Sequence, residues 1–334
     1  MKLLVTAPML QESLDELKRY FEEIHYYPWT LKEDGNGYSE KEISALLEEY
    51  QPDALISELD ELTRVVLTGY GRLKVIGDCR ANPANIDLNA CNELGIPVLC
   101  TPARNAQAVA ELLVGMLINF FRNVQPAIRW VEEGNWVPGN MPYSTFMGNE
   151  LQGKKVGFVG FGAVGQTTAG ILHGFGCEIS FYDPYVDSVK ETFFKKELEE
   201  IFRESDIVSV HLPVLESTKG MIDGRLIGMM KPTSVFANSA RSAVVVTEAL
   251  VDALEHNRIR GAVLDVLDHE PPTEEDLKIA KLPNVLLTPH IAGASREVFQ
   301  HQSHIITERF VQWMKKENMD KIIYNTEVRK RLQS

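Results

Sequence analysis

Three polar side chains each follow a short apolar run, and their types suit one reaction. The run "SVFANSAR" delivers Arg241, "GAVLDVLDHEPP" delivers Asp265 and then Glu270, and "NVLLTPHIAG" delivers His290. Short apolar runs bounded by turn residues read as buried β-strands, so each polar group falls just past a strand's C-terminal end. Ligands of doubly wound sheets bind outside those ends, so the three loops can converge on one crevice. A guanidinium is a planar, permanently charged donor that can hold a carboxylate and a carbonyl oxygen together. A histidine titrating near neutrality can give that oxygen a proton as hydride reaches the carbon, and take it back in reverse. A carboxylate on the far ring nitrogen fixes the tautomer and stabilises the imidazolium. The combination fits hydride transfer between a 2-hydroxy acid and a 2-oxo acid. Singly, each residue has a plainer reading: a surface arginine, a loop acid, a satisfied interior histidine.

A hydride carrier is implied by "KKVGFVGFGAVGQTTAGILHGFGCEISFYDP". An apolar strand runs into Gly160-x-Gly162-x-x-Gly165, then a helix, then a second strand ending at Asp183. Gly160 permits the tight turn, Gly162 lets the backbone approach a pyrophosphate, and Gly165 lets helix and strand pack closely. Ala163 and Val164 open the helix, whose unpaired N–H groups and dipole favour the phosphates. Asp183 is placed to accept hydrogen bonds from the adenosine ribose. Its charge opposes a 2′-phosphate and no arginine follows closely, so NAD is expected rather than NADP. The small residues after His290, Ala292 and Gly293 among them, would leave room for the nicotinamide beside the ring.

The elements that must position these groups alternate along the chain. "KLLVTAP" reads as a strand, "SLDELKRYFEEI" as a helix, and "DALIS", "LKVIGDC" and "IPVLCTP" as further strands. Residues 105–130 read as one long helix, a second βα series runs from Lys154 to Pro289, and another long helix follows Ser295. Such alternation signals an α/β protein with parallel sheets, here a first unit interrupted by a second. The length of 334 residues favours two domains. A formal net charge of -13 argues against nucleic acid or an anionic membrane as partner. "MKLLVTAPML" reads as an opening strand rather than a signal peptide, and "AVAELLVGMLINFF" is interrupted and too short to span a bilayer. Cys79, Cys91, Cys100 and Cys177 form no paired motif, so free thiols in the cytoplasm and no metal site are expected.

With these pieces in order, the chain resembles the D-isomer-specific 2-hydroxyacid dehydrogenases, which include phosphoglycerate, glyoxylate/hydroxypyruvate and D-lactate dehydrogenases. The matching stretches are "GFVGFGAVGQ", "DIVSVHLPVLESTKGMI", "ANSAR", "GAVLDVLDHEPP", "LLTPHIAG" and "ANIDLNACNELGIPVLCTPARNAQAVAELLVGMLI". The resemblance implies two Rossmann-like, doubly wound parallel-sheet domains. The NAD domain (104–295) is inserted in a discontinuous substrate domain (1–103 and 296–334), and NAD domains join two chains as a homodimer. Carried over, Arg241 anchors substrate, Glu270 pairs with the histidine, and His290 donates the proton. His211, Pro213, Thr218, Ala240 and Asp265 line the cofactor.

The departures fall around the substrate. Where the family has "ARGGLVD", this chain has "ARSAVVV", with Ser242, Ala243 and Val246. The glycine-rich loop whose amides hold the substrate carboxylate is here "CRANPANID", with Arg80, Ala81 and Asn82; Ala103 also replaces a glycine. A second cation at Arg80, with Arg104 nearby, suggests a larger polar substrate, sugar-derived or phosphorylated. The competing expectation for Arg80 is an outward turn or a pair with Asp78 or Asp87. The alternative function is an NAD-sensing, corepressor-like binding protein on the same scaffold. A formate dehydrogenase is disfavoured because those pair histidine with glutamine.

Overall fold

The computed structural model describes residues 1–333 apart from 188, 190 and 191. The chain divides into two compact units, Met1–Arg104 with Ser295–Ser334, and Asn105–Ala294. Each is built on a wholly parallel sheet.

In the first unit the strands are β1 (Lys2–Val5), β2 (Glu23–Tyr26), β3 (Ala54–Ser57), β4 (Val75–Asp78) and β5 (Val98–Cys100), in the order β2-β1-β3-β4-β5. The central strands are buried on both faces, as parallel strands covered by helices must be. Leu3, Val5, Ala54, Ile56, Val75 and Leu99 face one apolar layer, while Leu4, Leu55, Ile76 and Val98 face the other. The helix Glu297–Lys315 belongs to this unit. A Cβ at Gly77 of β4 would lie 2.4 Å from the ring of Phe310 on that helix, so glycine is the residue that lets them meet.

The second unit carries β6 (Lys155–Val159), β7 (Glu178–Tyr182), β8 (Phe193–Lys195), β9 (Ile207–Val210), β10 (Val235–Asn238), β11 (Gly261–Leu264) and β12 (Val285–Leu287). Their order is β12-β11-β10-β9-β6-β7-β8. The chain starts in the middle, winds outward to β8, then returns to β9 and winds the other way. The reversal falls between β6 and β9, where a doubly wound sheet forms its crevice. Val156, Phe158 and Ile207 face one apolar layer, Val159, Val208 and Val210 the other.

Two local readings are corrected. The segment "SLDELKRYFEEI" is not one helix: the helix ends at Leu17 and Glu23–Tyr26 forms edge strand β2. The long helix of 105–130 is two, Ala106–Phe121 and Val124–Glu132. Asn123 between them has φ 52, a left-handed conformation that asparagine tolerates and that stops a helix. No described helix is long and apolar enough to cross a membrane.

Asp78, the last residue of β4, is fully buried, and among the described residues neither carboxyl oxygen meets a donor at hydrogen-bond geometry. Burial pushes its pKa up to about 8, against the opposing pull of the Arg80 and Arg104 charges. The folded chain therefore keeps a proton that the unfolded chain releases above a pH of about 4. Stability then falls as pH rises between those values, because the native state binds the extra proton. Asp78→Asn keeps the shape without that proton. Thermal melts at about pH 5 and pH 8 should show a smaller loss of Tm than wild type, by roughly 2–4 °C per kcal/mol removed. Equal losses would mean that Asp78 is charged and paired.

Candidate active site

The three polar residues leave neighbouring strands of the second unit. Asn238 of β10 is in register with Leu264 of β11, and Leu264 with Leu287 of β12. Arg241, Glu270 and His290 follow those strands at the same edge of the sheet. His290 Nδ1 meets Glu270 Oε2 at 2.5 Å, with both side chains about 40% exposed (41% and 40%). The other Glu270 oxygen accepts the Leu267 N–H at 3.3 Å, so the acid is held by its own loop. Among the described residues, no hydrogen-bond partner meets Nε2 of His290, which leaves that nitrogen for a reacting oxygen.

Arg241 is exposed. One guanidinium nitrogen donates to the Ala240 carbonyl at 2.6 Å. The turn before it is fixed by buried Asn238, which accepts from the Ala240 N–H and donates to the Arg241 carbonyl, each at 2.9 Å. Ser242, where the family has glycine, donates its hydroxyl to the Leu267 carbonyl at 2.8 Å. That bond ties the Arg241 turn to the loop carrying Glu270.

His290 has φ 54, so the proton-donor candidate itself occupies the left-handed region. Asp265, 1% exposed, accepts the N–H groups of Ile291 and Ala292 at 2.9 and 2.7 Å and the Thr288 hydroxyl at 2.6 Å. Gly293 is small for a local reason: a Cβ there would lie 2.9 Å from the Asn105 amide nitrogen. Sequence reading missed the structural parts of Asn238 and Thr288. A polar residue closing an apolar run was the available sign for both.

At the sheet's switch point the glycine loop has the form a dinucleotide needs. Gly160 has φ +88, and a Cβ there would sit 2.7 Å from the His211 carbonyl oxygen. A Cβ at Gly162 would meet nothing within 4 Å, and one at Gly165 would press on the Gly160 carbonyl at 2.9 Å. The open side at Gly162, with Ala163 and Val164 beginning the helix Ala163–Gly174, leaves space for a pyrophosphate against free amides. Asp183 accepts the N–H groups of Phe161 and Tyr185 at 2.7 and 2.8 Å, one per carboxylate oxygen, and each oxygen can still accept a ribose hydroxyl. These residues fit NAD, which when bound supplies or accepts the hydride.

Other candidates are placed less directly. The His211 ring stacks on Phe158 at 5.4 Å and shares a 2.8 Å hydrogen bond with Ser209; burial pulls its pKa down to about 4, so it is neutral. The Thr218 hydroxyl donates to the Pro213 carbonyl at 2.6 Å and closes its own loop. In the first unit, Arg80 is half-buried and makes no ion pair among the described residues, neither with Asp78 nor with Asp87. Ala81 and Asn82 are exposed, and the Asn82 side chain accepts from the Tyr324 hydroxyl at 3.1 Å. Arg104 is not a spare cation: it is bonded to buried Glu58 at 2.7 Å and to Gln302. Ala103 has φ 64, a left-handed position that a glycine adopts more freely.

A doubly wound domain with a dinucleotide loop and a histidine–carboxylate pair at its C-terminal edge defines a nicotinamide-dependent dehydrogenase. Residues 114–292 match the family model of the "D-isomer specific 2-hydroxyacid dehydrogenase, NAD binding domain". The Bacillus subtilis (strain 168) protein named "Putative 2-hydroxyacid dehydrogenase YoaD" is 42% identical over 332 residues, covering 99% of this chain and 96% of that protein. Glyoxylate reductase of Thermococcus litoralis is 33% identical, covering 79% of this chain and 81% of that one. The solved structure of an acyclic imino acid reductase with NADPH and D-Arg is similar at a TM-score of 0.78 and 26% identity, covering 97% of this chain and 99% of that one. The chain belongs to the D-isomer specific 2-hydroxyacid dehydrogenase family. It is an NAD-dependent oxidoreductase acting on a 2-hydroxy acid and its 2-oxo acid.

The His290–Glu270 contact sets a pair of expected results. His290→Ala should lower kcat on the order of 10²–10⁴-fold while leaving NADH affinity unchanged. Glu270→Gln removes the charge that stabilises the imidazolium, so oxo-acid reduction should fail at a lower pH than in wild type. Steady-state pH profiles and NADH titrations read both. A profile unmoved by Glu270→Gln removes that residue from the pair.

Proposed function

We propose that the enzyme uses NAD in preference to NADP and interconverts a polar, sugar-derived D-2-hydroxy acid with its 2-oxo acid, His290 donating the proton. The observation that carries the chemistry is the 2.5 Å contact from His290 Nδ1 to Glu270, which leaves Nε2 for the substrate oxygen. In the reducing direction, Nε2 protonates the carbonyl oxygen as its carbon becomes a hydride acceptor, and Glu270 stabilises the imidazolium before that transfer. Arg241 holds the substrate carboxylate and carbonyl oxygen through its free guanidinium donors. In the oxidising direction, neutral His290 takes the hydroxyl proton. The backbone N–H groups of Arg80, Ala81 and Asn82 have no partner among the described residues, and the family resemblance gives amides of this loop to the substrate carboxylate.

The NAD preference is supported by Asp183, whose two oxygens are fixed by backbone amides at the end of β7. A 2′-phosphate would face that carboxylate. Asp183→Ala should therefore narrow the NAD:NADP ratio of kcat/KM by roughly tenfold or more, about 1.4 kcal/mol. Equal use of both cofactors by wild type would overturn the assignment.

A homodimer and a cytoplasmic setting complete the reading. Val124, Ile128 and Val131 lie on one face of a short helix at 39%, 52% and 48% exposure, and Trp136, Met141 and Tyr143 beyond it are more exposed still. An apolar strip of this kind on the NAD domain marks a protein contact, and a second copy is the occupant the family resemblance implies. Sedimentation of a single monomeric species at micromolar concentration would overturn it.

The substrate class rests on Arg80, a half-buried guanidinium with no ion-pair partner among the described residues. An unpaired cation of this kind is matched by a second anion or several hydroxyls on the substrate. An NADH-oxidation panel of simple and polyhydroxylated 2-oxo acids tests it directly. Arg80→Ala should lose activity on the larger acids only. A wild-type preference for pyruvate, or an equal loss on all substrates, sinks the assignment.

A further inference from the structure

We infer that Asp265 is a positioning residue for the proton donor, acting through the backbone of the loop that carries His290. The inference rests on the reading of His290 as that donor. A residue with a side chain pays a steric cost in the left-handed region, and His290 sits there at φ 54. Such a conformation persists only when its surroundings over-determine it. Here the surroundings are specific. The His290 N–H reaches back to the Thr288 carbonyl at 3.0 Å, closing the turn on one side. On the other side, the next two N–H groups of the chain, from Ile291 and Ala292, both end on the Asp265 carboxylate. The Thr288 hydroxyl ends there too, so one side chain grips the loop before and after the histidine.

Asp265 can do this because of where it stands. It is the first residue after β11, whose neighbour β12 leads into the His290 loop. The carboxylate thus rises from the sheet beneath the loop, and at 1% exposure no water competes for its lone pairs. An acid is the right residue type: three donors converge on it, and only a carboxylate offers two oxygens that both accept. Glu270 is the charged group in contact with the ring itself, while Asp265 reaches the backbone on either side of it. Loss of the grip would let the turn relax and move the ring away from Glu270. The cofactor contact that the family resemblance gives Asp265 is a different role, and the two separate experimentally.

The test is Asp265→Asn in the full-length enzyme. The amide keeps one accepting oxygen, but its NH2 group must then face an N–H donor of the loop. Displacing a catalytic group by about 1 Å costs on the order of 10²-fold in rate, so kcat for 2-oxo-acid reduction should fall on the order of 10–100-fold. The upper pH limit of that reduction should move down, as the ring loses its carboxylate. NADH affinity, read by fluorescence titration, should change less than about threefold. Thr288→Val, which deletes only the hydroxyl donor, should give a smaller loss and a shift of the same sign, and it carries the test if Asp265→Asn fails to fold. Weakened NADH binding with an unmoved pH profile would make Asp265 a cofactor contact only and overturn the inference, as would two variants with wild-type kinetics. If instead His290→Ala keeps its turnover, it is the reading of His290 that fails.

Discussion

Parallel pairing of β10, β11 and β12 is the constraint on which the site depends. Because the three strands run the same way and stay in register, their C-terminal ends reach one edge together. Loops from positions some 50 residues apart in sequence are then neighbours in space. Antiparallel pairing of the same strands would send one of those loops to the opposite edge, and the histidine would lose its acid. Adjacent strands lie about 4.8 Å apart, close enough for Glu270 to cross to His290.

Buried polar groups near strand ends are satisfied to different degrees. In the NAD domain, Asn238 and Asp265 are buried and hydrogen-bonded to loop amides, a carbonyl and a hydroxyl. Both therefore stiffen the turns that lead to Arg241 and His290. In the first unit, Asp60 is buried but accepts from Thr6, Ser57 and the Tyr38 N–H, and Glu58 meets Arg104 and Trp29. Asp78 stands among them, and neither of its oxygens meets a partner among the described residues. Burial of a carboxyl without donors favours its neutral form, so the end of β4 differs in character from the end of β11. The Arg80 loop begins directly after it.

The departures from the family pattern become physical at Ser242 and Ala103. Ser242 uses its hydroxyl to join two loops that glycine would leave unconnected. Ala103 keeps a backbone conformation suited to glycine. Val246 opens the helix Thr247–Glu255 without a side-chain cap, where the family's aspartate could accept from the helix N–H groups. These changes alter how the turns are held more than which reactive groups they present.

Much of this molecule was legible in its sequence. Buried parallel strands declare themselves as short apolar runs, and the glycine spacing before Asp183 reflects steric needs that are local to one turn. The types of Arg241, Glu270 and His290 pointed to the family's reaction for a similar reason: chemistry belongs to the functional group. What local sequence could not carry was pairing. Strand β2 is an edge strand with no fully buried side chain, and no glycine or proline separates it from the preceding helix. Its identity comes from the hydrogen bonds that β1 offers. The break at Asn123 had a local sign in the asparagine, but an apolar pattern continuing through Val124 and Ile128 hid it. Arg104 read as a free cation until Glu58, 46 residues earlier, met it. The grip of Asp265 on the His290 loop likewise joins residues 26 and 27 positions apart. The sequence by itself determined which groups are present and which strands are buried. Only the tertiary structure decided which donor met which acceptor, because a hydrogen bond depends on separations in space that the linear order of residues does not contain.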